Sequence, residues 1–95
     1  MLLKVVIVED EEIIRKGLTF ALNWLDMGCI IVGTAKDGAE GLETIRREQP
    51  DIVLTDVRMP VYDGLELVRR TAELGISAAF VIISGYKYFE YAYSA

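Results

Sequence analysis

Residues 51–60 read DIVLTDVRMP, in which a run typical of a buried strand leads directly into Asp56. Pro60 follows four residues later and cannot continue a strand, because proline has no backbone N–H to donate. A strand that ends in a carboxylate shortly before such a break displays that carboxylate at its carboxyl end. We therefore expect Asp56 to be accessible at one edge of a sheet, although an ordinary strand-end or turn aspartate would give the same local pattern.

The same arrangement occurs near the N-terminus, where apolar residues 5–8 lead into the acidic residues 9–12. If the two strands are adjacent in a parallel sheet, Glu9, Asp10 and Asp56 lie in one crevice at the carboxyl ends of the strands. Carboxylates that close together must take up protons or bind a cation, and an all-oxygen set favours Mg²⁺ over zinc. The alternative is that residues 9–12 only favour the positive end of the following helix.

Composition indicates one small domain: the chain has 95 residues, of which 53% are hydrophobic, and a net charge of −5. This negative charge argues against binding of nucleic acid phosphates by this segment. No apolar stretch approaches the roughly 20 residues of a membrane span, and the N-terminus lacks the pattern of a signal peptide. A single cysteine, Cys29, cannot form an internal disulfide. We expect a reducing, cytoplasmic setting in which Cys29 is a small buried hydrophobic residue.

Four apolar runs alternate with segments of helical period, which is typical of βαβ units and a parallel sheet. The predicted strands are residues 4–8, 30–35, 52–55 and 80–83, and their continuous apolar character predicts burial on both faces. A second helix is predicted from residue 37 to residue 48, a third from residue 63 to residue 75, and a last one over residues 86–95. The first helix would carry an apolar face made of Ile13, Ile14, Gly17, Leu18, Ala21, Leu22 and Leu25.

Four strings of the sequence resemble the response regulator receiver domains of two-component signalling systems. They are IVEDEE at 7–12, DIVLTDVRMP at 51–60, Asp63 with Gly64, and VIISGY at 81–86, and their order and spacing follow that family over the whole chain. The pair Asn23 and Trp24 ahead of Gly28, together with the turn at 84–86, is similar to the subgroup that carries a C-terminal helix-turn-helix module of the arabinose-regulator type.

The resemblance implies an α/β fold of the flavodoxin-like, doubly wound type, with parallel strand order 2-1-3-4-5. Residues 1–95 would then form an incomplete receiver domain, because the fifth strand with its lysine, and the fifth helix, are absent from this chain. Tyr62 is a milder departure, since the family usually has Met or Leu at that position.

The resemblance also implies the roles of individual residues. Asp56 would be the phosphoacceptor, and Glu9, Asp10, Asp56 and the backbone carbonyl of Arg58 would hold Mg²⁺. Ser84 would be the hydroxyl that senses the phosphoryl group, although Ser84 and the glycine after it could also form a simple turn. The implied partners are a sensor histidine kinase, a second copy through the later elements, and DNA only through a domain outside this chain. The domain would modify itself without being an enzyme for an external substrate.

Other functions remain open at this stage. A degenerate receiver could bind partners without ever taking phosphate, and the absent lysine favours that alternative for this chain. A phosphatase with an aspartyl nucleophile would need a second acid two residues after Asp56, where Arg58 stands. A nucleotide-binding domain would need a glycine-rich phosphate loop after the first strand, which the sequence lacks.

Overall fold

The computed structural model describes residues 1–83, in which four β-strands alternate with three α-helices. In chain order the elements are β1 (Leu3–Val8), α1 (Glu12–Phe20), β2 (Cys29–Ala35), α2 (Gly38–Glu48), β3 (Ile52–Asp56), α3 (Gly64–Glu73) and β4 (Ala79–Ile83), with a short 3-10 turn at Leu25–Met27. Each predicted strand is present, with bounds shifted by at most one residue. The helix predicted over residues 86–95 lies outside the described residues.

All neighbouring strands of the described sheet are parallel, and their order is β2-β1-β3-β4. The expected α/β fold with strand order 2-1-3-4 is therefore confirmed. In the β1–β3 pair, Val8 lies opposite Thr55, so both strands end at the same level of the sheet. Glu9 and Asp56, which follow these two residues, consequently emerge side by side.

Helices cover the two faces of the sheet, and alternate residues of β1 point to opposite sides. Val6 and Val8 join the core beneath α2 and α3, with Ala35, Ile45, Val53 and Leu67. Val5 and Ile7 join a smaller core on the face of α1, with Cys29 and Leu54, packed against Leu18 and Trp24. As expected, Cys29 is a free and buried cysteine. The central strand β1 is thus buried on both faces.

Burial on both faces is wrong, however, for the two outer strands of the described sheet. Ile30 of β2 is 40% exposed, and Val81 and Ile82 of β4 are 47% and 39% exposed. The reason is their position, because within residues 1–83 each of these strands has a neighbour on one side only.

The prediction of the apolar face of α1 is also wrong, because that face is shorter than predicted. The helix ends at Phe20, so Leu22 and Leu25 lie beyond it, and Ile13 at its start is 87% exposed. The indole Nε1 of Trp24 donates a hydrogen bond of 2.8 Å to the carbonyl oxygen of Leu18. This contact folds the segment after the helix back onto its last turn, which a pattern of helical period cannot anticipate.

Helices α2 and α3 begin directly after aspartates, in agreement with the starts predicted from the sequence. Asp37 Oδ1 accepts a hydrogen bond of 2.7 Å from the backbone N–H of Glu40, and Asp63 Oδ1 accepts one of 2.8 Å from that of Glu66. Each aspartate thereby satisfies a backbone donor that the first turn of a helix leaves free. None of the helices in residues 1–83 combines the length and the apolar composition that a membrane crossing requires.

Candidate functional site

Three carboxylates meet at the carboxyl ends of β1 and β3. One oxygen from each of Glu9, Asp10 and Asp56 lies within 4.8 Å of the others. Parallel pairing of the two strands causes this meeting, since Val8 is paired with Thr55 and the next residues along the chain are Glu9 and Asp56. The two acidic segments, more than 40 residues apart in the sequence, therefore form one crevice, which is the juxtaposition that adjacent strands predict.

Glu9 is fully buried, whereas Asp10 is exposed and Asp56 is partly buried. The Oε1 atom of Glu9 accepts a hydrogen bond of 3.2 Å from the backbone N–H of Glu11, and Oε2 has no hydrogen-bond partner among the described residues. Burial is the main cause that raises the pKa of Glu9, the hydrogen bond from the Glu11 N–H opposes it, and the negative charge of Asp56 adds to it, so that the pKa lies at about 8. Glu9 therefore holds a proton at neutral pH when no cation is present.

Asp56 is fixed by the tight connection between β3 and α3. Its Oδ1 atom accepts a hydrogen bond of 2.7 Å from the backbone N–H of Val57. Gly64 allows the start of α3 to approach closely, because a Cβ there would lie 2.3 Å from the carbonyl oxygen of Asp56. The N–H of Gly64 donates to the carbonyl of Val57 at 2.7 Å. One carboxylate oxygen of Asp56 is thus held by a backbone N–H, and the Gly64 contacts fix the main chain that carries this side chain.

Arg15 is a site residue that the sequence did not reveal. Its Nη1 atom donates a hydrogen bond of 2.8 Å to the carbonyl oxygen of Glu9. Arg15 is not among the residues of the predicted apolar face of α1, and the sequence pattern assigns it no role. No local signal identifies this contact, because it depends on how α1 turns back over the end of β1.

The loop between β3 and α3 carries the remaining predicted ligand. Arg58 lies in this loop with an exposed side chain, two residues after Asp56. The other predicted residue, Ser84, follows β4 directly and lies outside the described residues.

The acidic cluster fits a hard divalent cation. Its donors are all oxygens, and Mg²⁺ is bound by carboxylates together with water. The buried Oε2 atom of Glu9 lacks a hydrogen-bond partner among residues 1–83, and a buried polar atom in that state is costly. A cation in contact with Glu9, Asp10 and Asp56 would give that atom a partner and relieve the repulsion between the carboxylates.

Comparisons with known proteins identify relatives over almost the whole chain. A family model described as the response regulator receiver domain matches residues 5–95. The transcriptional regulatory protein YesN of Bacillus subtilis is 40% identical over 92 residues, which are 97% of this chain and 25% of that protein. The transcriptional regulatory protein HptR of Staphylococcus aureus is 44% identical over 88 residues, 93% of this chain and 34% of that protein. The chain thus spans a quarter to a third of these relatives.

Solved structures agree with this result. The REC domain of AraT, a response regulator from Geobacillus stearothermophilus, superimposes with a TM-score of 0.84 at 37% identity and covers 100% of this chain and 74% of its own. A CheX–CheY–BeF3–Mg²⁺ complex from Borrelia burgdorferi has a TM-score of 0.74 at 29% identity, over 84% of this chain and 60% of that one. The family match includes the positions of Glu9, Asp10 and Asp56.

Proposed function

This chain belongs to the response regulator receiver domain family, and on that premise we propose that Asp56 accepts a phosphoryl group from the phosphohistidine of a sensor kinase, with Mg²⁺ in the acidic crevice. The observation that carries the proposal is the meeting of Glu9, Asp10 and Asp56 at two adjacent strand ends, where one buried oxygen of Glu9 has no hydrogen-bond partner among residues 1–83. Carboxylates that lie this close together repel each other, which disfavours folding but favours the binding of a cation.

Asp56 would act as the nucleophile. Its Oδ1 atom is engaged by the N–H of Val57, so Oδ2 is the oxygen that attacks phosphorus. The new O–P bond forms as the P–N bond to the imidazole breaks, and the imidazole nitrogen keeps the bonding electron pair. The product is an acyl phosphate on Asp56, and the domain is modified without turning over an external substrate.

The approach of a phosphoryl group to three acids requires positive charge. When bound, Mg²⁺ supplies that charge and neutralises the phosphoryl oxygens. The residues that would hold it are Glu9 in its ionised form, Asp10, Asp56 and the backbone carbonyl of Arg58. Arg15 holds the carbonyl of Glu9 at 2.8 Å, which fixes the backbone from which two of these acids extend.

We infer that the phosphoryl group controls a transcriptional output. YesN and HptR are transcriptional regulatory proteins of which this chain spans only part, so DNA would be bound by a domain outside this chain. The net charge of −5 agrees with that separation of roles. In this proposal Ser84 senses the phosphoryl group, and a second copy associates through the later elements.

Intact mass spectrometry of the full chain, after incubation with acetyl phosphate, tests the phosphoacceptor role. We expect one added phosphoryl group that requires Mg²⁺ and is absent from Asp56→Asn. Asp51→Asn is the matched control, because Asp51 precedes the same strand at its opposite end, where its Oδ2 accepts from the N–H of Lys4 at 2.8 Å. This control should be labelled like the unaltered protein.

Two outcomes would contradict the proposal. Labelling of Asp56→Asn to the normal extent would remove Asp56 from the acceptor role. If the unaltered protein takes up no phosphoryl group while it is folded, a receiver that binds partners without phosphate becomes the better explanation.

A further inference from the structure

The loop between β3 and α3, residues 57–63, is fastened to α3 through an aromatic ring. The guanidinium carbon of Arg70 lies 3.9 Å from the centroid of the Tyr62 ring. Arg70 is itself held, since its Nε atom donates a hydrogen bond of 3.0 Å to Glu66 Oε1. A guanidinium over the face of a tyrosine ring at this distance is an attractive cation–π contact. Tyr62 therefore ties the end of the loop to the outer surface of α3.

The same loop also contacts the beginning of α2. The backbone N–H of Gly38 donates a hydrogen bond of 3.3 Å to the carbonyl oxygen of Pro60. A Cβ at Gly38 would lie only 2.2 Å from the carbonyl oxygen of Tyr62, so the two backbones are in close contact there. The loop is thus held on both sides, by α3 and by the start of α2.

Val61, between these two contacts, has a conformation that its own side chain disfavours. Its φ angle is 73°, in the left-handed region that β-branched residues rarely adopt. Its side chain is exposed, and so its own packing offers little compensation. Such a backbone persists only where the surroundings impose it. The contacts of Pro60 and Tyr62 are the ones that hold this segment in place.

We propose that Tyr62 is a positioning residue for the Mg²⁺ site, and that its stack with Arg70 fixes the loop that presents the backbone carbonyl of Arg58 to the crevice. This inference rests on the proposed function, in which that carbonyl is a metal ligand. When the stack is lost, the strained segment at Val61 can relax. The backbone carbonyl of Arg58 then no longer keeps the position in which it would bind Mg²⁺. Mg²⁺ affinity then decreases although Glu9, Asp10 and Asp56 are unchanged.

Calorimetric titration of the full chain with Mg²⁺ tests this role, with the thermal midpoint recorded for every variant. Tyr62→Leu should bind Mg²⁺ about threefold more weakly, because a leucine offers no aromatic face to the guanidinium. Tyr62→Phe should bind like the unaltered protein, because it keeps the ring. Arg70→Met should match Tyr62→Leu, and the double variant should be no weaker than either single one, because both changes remove the same contact.

Arg69→Met is the matched control. Arg69 pairs with Glu66 and with Glu73 on the same helix, so its replacement removes ion pairs of α3 but leaves the ring contact of Tyr62 in place. We expect its Mg²⁺ affinity to equal that of the unaltered protein. A role of Tyr62 in stability alone would lower the thermal midpoint of Tyr62→Leu without changing Mg²⁺ affinity well below that midpoint.

The outcomes separate this inference from the function on which it rests. If the unaltered protein binds Mg²⁺ and Tyr62→Leu binds it equally well, the positioning role is wrong and the proposed function stands. Equal weakening in Tyr62→Phe and Tyr62→Leu would assign the effect to the hydroxyl group and overturn the stack. If the unaltered protein binds no Mg²⁺, the proposed metal site fails and the positioning role fails with it.

Discussion

At the scale of single residues, the burial of Glu9 costs stability. Its carboxyl group is fully removed from solvent, and one of its oxygens has no hydrogen-bond partner among residues 1–83. By contrast, the ion pair of Glu12 with Lys16 joins two largely exposed side chains and contributes little to stability because water screens it. An acid that is buried at this cost, beside two other acids, indicates a residue retained for binding chemistry.

Val61 also costs stability, because its backbone has a positive φ angle. Because asparagine tolerates a positive φ angle better than a β-branched residue does, Val61→Asn should raise the free energy of unfolding by about 1 kcal/mol. Leu65→Asn is the control, since Leu65 is an apolar residue of similar exposure, 64% against 68%, but lies in α3. Urea unfolding measures both variants. A loss of stability in Val61→Asn equal to that in Leu65→Asn would show that residue 61 is not strained.

At the scale of elements, two helices use glycine in different ways. Gly41 of α2 packs directly on β1, and a Cβ there would lie 2.9 Å from the Cγ1 atom of Val8. Gly17 of α1 has open space around it, since no atom of residues 1–83 outside its own turn of the helix lies within 4 Å of such a Cβ. Helix α2 therefore approaches the sheet closely next to the residue that precedes Glu9, whereas α1 makes no comparable approach at Gly17.

This difference predicts opposite effects of the same substitution. Gly17→Ala should stabilise the protein by about 0.5–1 kcal/mol, because alanine favours the helix and meets no neighbour. Gly41→Ala should destabilise it by about 1–3 kcal/mol, because the added methyl group pushes α2 away from Val8. Urea unfolding of the two variants provides the measurement. If both variants were more stable than the unaltered protein, α2 would be able to move away from Val8 without cost, and the close packing of Gly41 would not matter for stability.

At the scale of the whole molecule, the acidic edge at the carboxyl ends of the strands makes the free energy of unfolding depend on pH. The pKa of Glu9 is raised from 4.5 to about 8, so between these values the folded chain holds a proton that the unfolded chain has released. The resulting contribution to stability is complete below about pH 4.5 and is lost as the pH rises towards 8. In the absence of Mg²⁺ the free energy of unfolding should fall over this range, by at most about 1.4 kcal/mol per pH unit.

Urea unfolding at several pH values between about 5 and 8 measures this dependence. Glu9→Gln, which has no proton to lose, should show a flatter profile over the same range. Mg²⁺ should have the opposite pH dependence, binding more tightly as the pH rises, because it requires the ionised form of Glu9. Equal pH profiles for the unaltered protein and Glu9→Gln would show that Glu9 titrates normally.

Several features could be predicted because they depend on residues close together in the chain. The apolar runs before Glu9 and Asp56 predict strands, and the aspartates at 37 and 63 predict helix starts, from neighbours within a few positions. Parallel pairing then brings the two acidic strand ends to one edge, which follows from the alternation of strands and helices.

Other features required the tertiary structure, because they depend on contacts between residues that are distant in sequence or on which surfaces become covered. The full burial of Glu9 and its raised pKa, the exposure of the outer strands, and the early end of α1 belong to this group. The hydrogen bond from Arg15 to Glu9 and the contact of the Gly38 and Tyr62 backbones belong there too. The sequence by itself determined which chemical groups stand at the ends of which strands. Only packing decided how far each group is removed from water, and this burial shifts the pKa of an acid away from the ordinary value of its residue type.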